Sequence, residues 1–133
     1  MFEILTLIKN KLSEIENQNV AIGLESNLTA NQCPFIRIIT QPSRPATNSA
    51  FEEEAEIQIL YGEKVNIKTN LEEVYEKIYE TEKKIREKMK ELESEDRIKE
   101  VNWVETIPDE DTLNNIKASA SIFLIRFGDL RCR

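Results

Sequence analysis

The chain contains few side chains that could carry out nucleophilic, acid–base or metal chemistry. It has no histidine, which excludes histidine-based acid–base catalysis, Ser-His-Asp triads and zinc sites that use histidine. Its two cysteines, Cys33 and Cys132, lack CxxC or CxxH spacing, and only lysine or arginine neighbours could activate Cys33 as a nucleophile. Its three glycines, Gly23, Gly62 and Gly128, are isolated, so the sequence has no Gly-rich phosphate-binding loop. We therefore expect two free thiols rather than a nucleophile, a zinc site or a disulfide bridge.

Carboxylates occur in two clusters. One comprises residues 52, 53, 54 and 56 at the start of a predicted strand, and the other comprises residues 109–111 in a predicted turn. Hydrolysis by two carboxylates needs one carboxyl group in an apolar pocket that raises its pKa, whereas the surroundings of both clusters are polar. The turn also lacks the spacing and the glycine of a calcium-binding loop. The sequence thus predicts no catalytic, cofactor-binding or metal-binding residues, and it does not predict an enzyme.

Length and charge narrow the classes of protein further. A chain of 133 residues with 40% apolar content suits a single domain, residues 1–133, with one modest core. The net charge of −7 argues against electrostatic binding to nucleic acid or to an anionic membrane. The same charge would let nucleic acid pass the protein without being bound. The sequence contains no run of about 18 apolar residues, so it predicts no membrane span. Charged residues occur throughout the N-terminal segment, so it predicts no signal peptide. We expect a cytoplasmic protein.

Two segments, residues 2–16 and 70–92, have the spacing of amphipathic helices. Asn70 and Glu73 have the form of a capping box at the start of the second segment. A charged helix with a heptad-like stripe can form a coiled coil or can lie across a sheet. The sheet is favoured, because only about three heptads occur and strand-like segments flank the helix on both sides. The apolar stripes comprise Phe2, Leu5, Ile8, Leu12 and Ile15 in the first helix, and Leu71, Val74, Ile78, Ile85, Met89 and Leu92 in the second.

The remaining segments are predicted to form strands and loops. Strands are predicted over residues 20–24, 35–40, 54–61, 97–107 and 116–127, and Trp103 is the largest apolar anchor of its strand. Residues 41–53 contain two prolines and no periodicity, which predicts a long mobile loop. Short connections predict antiparallel pairing within each group of strands. The predicted fold class is α+β, in the order α-β-β-β-α-β-β, with two layers: a mainly antiparallel sheet and two amphipathic helices on one of its faces.

Two predicted strands are apolar on both faces, although the helices cover only one face of the sheet. These are residues 35–40 and the end of the last strand, residues 122–127. Either the sheet folds over on itself or another subunit covers the second face, and self-association is favoured. The residues predicted to contact another subunit or a partner come from the long loop, the strand that follows it and the last strand. They are Arg44, Phe51, Glu52, Glu53, Glu54, Phe123, Ile125 and Phe127.

In its order of elements, the chain resembles the phage tail-terminator family, the tail-completion and head–tail joining proteins of long-tailed phages. The likeness covers the opening helix FEILTLIKNKL, the strand Pro34-Phe35-Ile36-Arg37-Ile38, the loop 41–53, the acidic strand EAEIQILY, the helix 70–92 and the closing hairpin ending in IFLIRF. It implies a structural phage or prophage protein without cofactors. Such a protein forms a ring, typically a hexamer, that terminates the tail tube and meets the head connector, while DNA passes without specific binding. The ring would assemble in the host cytoplasm and remain in the virion tail or neck.

Two alternatives belong to other classes of protein. A small cytoplasmic adaptor, monomeric or dimeric, would use the helix 70–92 to bind a partner protein. An enzyme would use Cys33 or a carboxylate pair, and it would have a selectively reactive thiol or an abnormally titrating carboxyl group.

Overall fold

A computed structural model describes residues 2–25, 28–40, 44–45, 52–66, 68, 70–108 and 115–128. The helices are α1 (Phe2–Leu12) and α2 (Leu71–Glu91), and short 3-10 turns follow at Ala30–Gln32 and Leu92–Ser94. The strands are β1 (Asn19–Ile22), β2 (Phe35–Thr40), β3 (Arg44–Pro45), β4 (Glu52–Lys64), β5 (Ile98–Pro108) and β6 (Ile116–Gly128). The five main strands form one sheet in the order β1-β2-β4-β6-β5, and the two-residue β3 pairs with β4. The predicted α+β class and order of elements are confirmed.

Both helices pack on the same face of the sheet, which we call the inner face. The buried residues of α1 and α2 form one core with alternate residues of the central strands, such as Ile57 and Ile59 of β4 and Phe123 and Ile125 of β6. Asn70 caps α2, because its side chain accepts a hydrogen bond from the backbone N–H of Glu72. The side chains at the other alternate positions of the strands point to the opposite, outer face.

The first strand pair corrects the predicted topology. β1 and β2 run parallel, with Asn19 opposite Phe35 and Ile22 opposite Ile38, whereas antiparallel pairing was expected. The connecting residues 23–34 reach the length of about a dozen residues that a parallel connection needs, so the assumption of a short connection was wrong. The other main pairs are antiparallel, including the predicted pair of β2 with β4.

The predicted loop 41–53 ends earlier than expected and contains a short strand. β3 lies within it, and β4 begins at Glu52 because residues 52–54 continue the ladder opposite Gly128, Phe127 and Arg126 of β6. Residues 41–43 and 46–51 lie outside the described residues, so the predicted mobility of the loop stays a prediction. The predicted turn at 109–111 also lies outside them.

Trp103 is not the buried anchor that the sequence predicted. Its side chain is 43% exposed, and Ile98 and Val101 are the buried apolar residues of β5. The reason is that β5 is the edge strand and its register against β6 shifts between Trp103 and Glu105. The second half of β5 therefore presents apolar side chains at the surface.

Candidate functional site

Neither group of residues considered for enzyme chemistry has an activated environment in the described structure. Cys33 is half-buried, and burial followed by the nearby Glu63 carboxylate raises the pKa of its thiol, which keeps it protonated. Glu53 is exposed, and Glu54 lies 3.9 Å from the Arg126 guanidinium. Within the described residues, no group of three His, Cys, Asp or Glu side chains could hold a metal ion. Cys132 and residues 109–111 lie outside the described part of the chain.

Three residues of the predicted interface belong instead to the core. Phe123, Ile125 and Phe127 are 1%, 0% and 4% exposed, because they face α1 and α2 on the inner side of β6. They are unavailable to a partner in this fold, and assigning them to an interface was wrong. Phe51 and the side chains of Arg44 and Glu52 lie outside the described residues, so their part of the prediction stays untested.

At the predicted end of β6, residues 122–127, the apolar residues that face outward are Ile122 and Leu124, which alternate with the predicted Phe123, Ile125 and Phe127. Both are half-buried, and they lie between Gln58 and Glu56 of β4 on one side and residues of β5 on the other. The outward apolar residues Ile39 and Ile107 extend this patch across β2 and β5. We define the outer sheet surface by Ile39, Glu56, Glu105, Ile107, Ile122 and Leu124.

The outer sheet surface is acidic at its margins. Glu56 is paired in the ladder with Leu124, and Glu105 with Ile122, so the two carboxylates lie on either side of the apolar pair. Both are exposed, and neither forms an ion pair with a described residue. The surface therefore combines apolar area with uncompensated negative charge.

One end of the outer face is covered by the chain itself. Arg37 points outward from β2 but is only 1% exposed, and its guanidinium group donates to the Glu25 carboxylate and to the backbone carbonyl of Asn19. The guanidinium group, with smaller contributions from the backbone and from Gln32, lowers the pKa of Glu25 to about 2. A second apolar cluster lies beside this ion pair, where Phe35, Ile116 and Ala118 contact the connection between β1 and β2. The outer sheet surface is the part of the face beyond this cover.

On the inner side, α2 and β5 form an open groove of about 740 Å³. Val101 and Phe123 line it from the sheet, and aromatic and charged side chains form its walls. The Arg86 guanidinium carbon lies 4.0 Å from the centroid of the Trp103 ring, within the range of a cation–π contact. We define the α2–β5 groove by Tyr79, Glu82, Lys83, Arg86, Glu87, Lys90, Val101, Asn102, Trp103 and Phe123, so its walls carry both cations and carboxylates.

A chain of hydrogen bonds fixes one wall of the α2–β5 groove. The Trp103 indole N–H donates to Thr106 Oγ1 at 3.0 Å, and the Thr106 hydroxyl donates to Glu82 Oε1 at 2.8 Å. Behind them, Ser121 Oγ lies 3.0 Å from Thr106 Oγ1 and 2.9 Å from the Tyr61 hydroxyl. Burial raises the pKa of Tyr61 to about 12, so its hydroxyl stays protonated and can donate to Ser121. Sequence reasoning missed this network, although Thr and Ser within otherwise apolar strands were a signal of it.

The solvent side of α2 carries a third feature. Tyr75 and Tyr79 are 36% and 58% exposed, and their rings stack with centroids 6.3 Å apart. With Leu71, which is 49% exposed, they form a ridge at four-residue spacing. The heptad-like stripe itself, including Val74, Ile78, Ile85 and Met89, is buried against the sheet. The prediction that α2 lies across a sheet is therefore confirmed, and its apolar stripe is not free for a coiled coil.

Among the described helices, none is long and apolar enough to cross a membrane. Comparison with protein families finds no matching family model, and comparison with curated proteins finds no matching sequence.

Proposed function

We propose that this chain is a structural subunit that assembles with copies of itself into a ring of the phage tail-terminator type. The observation that carries the proposal is the outer sheet surface. Ile122 and Leu124 lie at its centre, on the face of the sheet that neither helix covers. Contiguous apolar area on one face of a small domain is typical of an interaction site.

The element order and the net charge support the proposal that this ring is of the tail-terminator type. The chain has the order of elements by which it resembles the tail-terminator family, and its net charge of −7 suits a conduit that DNA traverses without binding. The partners would be copies of the chain, the tail tube protein and the head connector protein. No catalytic step or cofactor is part of this function.

Variants on the outer sheet surface test self-association. Replacing both Ile122 and Leu124 with Asp would place charges in the subunit contact, and we expect the assembly to fall to the mass of one chain, 15.5 kDa, by light scattering. The circular dichroism spectrum of this variant should match that of the wild type. Thr replacements at both positions provide a second, milder variant, because Thr is favoured in strands. A matched control is Tyr75→Ser with Tyr79→Ser, on the opposite side of the molecule, which should leave assembly intact. Unchanged assembly of the folded Asp variant would contradict the proposal.

A second candidate function, a small adaptor that binds a partner protein through α2, is favoured by the exposed ridge of Leu71, Tyr75 and Tyr79. Aromatic side chains with a polar tip are enriched at protein interfaces. Ile85 and Met89 are both 0% exposed, so replacing them with polar residues would unfold the chain rather than abolish partner binding selectively. In this alternative, Tyr75→Ser with Tyr79→Ser would abolish partner binding with the fold intact, and the wild type would be monomeric or dimeric.

A further inference from the structure

Side chains from the end of α2 close the free edge of β5 at one residue. Among the strands that the structure describes, β5 pairs with β6 on one side and with none on the other. The backbone N–H of Val101 donates to Glu93 Oε2 at 2.9 Å, and its carbonyl oxygen accepts from Lys90 Nζ at 3.2 Å. Lys90 Nζ also donates to the same Glu93 oxygen at 2.9 Å. Both backbone groups of Val101 therefore point away from β6 and are already bonded.

Glu93 and Lys90 take the place of a neighbouring strand at this point. In an antiparallel ladder, the N–H and C=O of such a residue would bond to the C=O and N–H of a residue on the next strand. Here the Glu93 carboxylate replaces that C=O and the Lys90 ammonium group replaces that N–H. The backbone N–H of Val101, followed by Lys90, lowers the pKa of Glu93, so its carboxylate stays ionised as an acceptor at neutral pH.

The backbone of Trp103 shows what this closure protects. Val101, Asn102 and Trp103 pair with three consecutive residues of β6, so the N–H and C=O of Trp103 point to the same free edge as those of Val101. The side chains of Trp103 and Val104 are also exposed there. An edge strand with outward backbone groups and exposed apolar side chains is a template for pairing with another chain.

We infer that Glu93 and Lys90 prevent β5 from pairing with the β5 of a second copy. This goes beyond the proposed function, which concerns a face of the sheet and not its edge. In an antiparallel pair of β5 strands, Val101 of each copy can lie opposite Trp103 of the other, which would form four backbone hydrogen bonds about a two-fold axis. Each of these bonds uses a Val101 group, and Glu93 and Lys90 occupy all of those groups.

Removing the Glu93 carboxylate should open the edge. The test is made in the Ile122→Asp with Leu124→Asp background, so that assembly through the outer sheet surface does not contribute. In that background, Glu93→Ala should self-associate at least about 10-fold more strongly than the background itself, because the backbone groups of Val101 become available. Light scattering should show a mass that rises with concentration toward twice 15.5 kDa.

Three controls assign this association to the β5 edge. Glu93→Gln changes the charge as Glu93→Ala does but keeps an oxygen that accepts from Val101, so it should behave like the background. Glu95→Ala removes an exposed carboxylate from the same connection and should also have no effect. Adding Val104→Lys to Glu93→Ala places a charge on the open edge and should abolish the new association.

The outcomes separate this inference from the proposed function. If the background assembles by itself, the proposed function is wrong, and the difference between Glu93→Ala and that background still tests the edge. If circular dichroism shows that Glu93→Ala does not fold, Lys90→Ala frees only the Val101 carbonyl group and should strengthen association at least about 3-fold. A folded Glu93→Ala or Lys90→Ala that associates no more than the background overturns the inference, as does equal association of Glu93→Ala and Glu93→Gln.

Discussion

Arg37 and Glu25 form a two-bonded ion pair on the outer side of the sheet, with Nε–Oε1 at 2.7 Å and the second guanidinium nitrogen 3.0 Å from Oε2. Arg37 also donates to the backbone carbonyl of Asn19 at the start of β1. The pair therefore ties the connection after β1 to β2 and holds the two strands in parallel. The contact joins two segments in the first third of the chain, across twelve positions of the sequence.

Replacing Glu25 with Gln should destabilise the chain and change its response to acid. Arg37 would remain buried without its carboxylate, so we expect a loss of roughly 3 kcal/mol in the free energy of unfolding at pH 7. This is the low end for a broken buried pair, because the Glu25 side chain is 34% exposed and solvent screens it. Urea unfolding of both proteins measures the difference. Glu16→Gln, at an exposed site, is the control and should change stability little.

The same pair predicts a pH dependence with a defined sign. The pKa of Glu25 in the fold is about 2, below its usual value of 4.5, so the carboxylate stabilises the fold fully above pH 4.5. This contribution is lost as the pH falls from about 4.5 to about 2. Urea unfolding across this range should show a steeper loss of stability for the wild type than for Glu25→Gln. Parallel curves for the two proteins would show that Glu25 is not held by Arg37.

Replacing Gly62 with Ala should destabilise β4 through a steric clash. A Cβ atom at this position would lie 2.7 Å from Phe35 Cε1 and 3.0 Å from the Lys117 carbonyl oxygen, which belongs to the backbone and cannot easily move. We expect a loss of about 1–3 kcal/mol in the free energy of unfolding. Phe35→Leu removes the ring atoms nearest to the new methyl group. In that background Gly62→Ala should cost less, by about 0.5 kcal/mol or more. Additive effects in the double variant would place the clash elsewhere.

The buried hydroxyl chain predicts that two similar substitutions differ in cost. Tyr61→Phe removes one hydrogen bond but leaves Ser121 bonded to Thr106, so we expect a loss of about 1 kcal/mol. Ser121→Ala leaves the Tyr61 hydroxyl without this partner in a buried position, so we expect about 1–3 kcal/mol. Thermal unfolding monitored by circular dichroism compares them. A larger loss for Tyr61→Phe than for Ser121→Ala would contradict the assigned network.

The sequence predicted elements well where apolar periodicity is strong, and it predicted contacts poorly where they depend on register. The apolar stripe of α2 and the β-branched run of β2 can be recognised from neighbouring residues alone. β2 spans the predicted residues 35–40. The predicted start of β4 was too late, because Glu52 and Glu53 resemble loop residues in the sequence alone. Their pairing with β6 in the structure places them in the strand. The ion pair of Arg37 with Glu25 has no local signature at all.

The candidate interface shows the same limit. The end of β6 is apolar at consecutive positions, so its sequence does not reveal which residues face the helices. The pairing of Phe123 with Ile57 places Phe123 on the inner face and leaves Ile122 and Leu124 outside. Trp103 was assigned to the core because of its size, but its place on an edge strand puts it in the wall of the α2–β5 groove. In both cases the position of a residue in the sheet, rather than its type, decides its role.

The molar mass of the wild-type chain in solution tests self-association most directly. Size-exclusion chromatography coupled to light scattering, run from low to high micromolar concentration, should give a mass that rises with concentration toward a closed assembly. For a hexameric ring, this limit is six times 15.5 kDa. A mass of 15.5 kDa at every concentration would contradict self-association through the outer sheet surface.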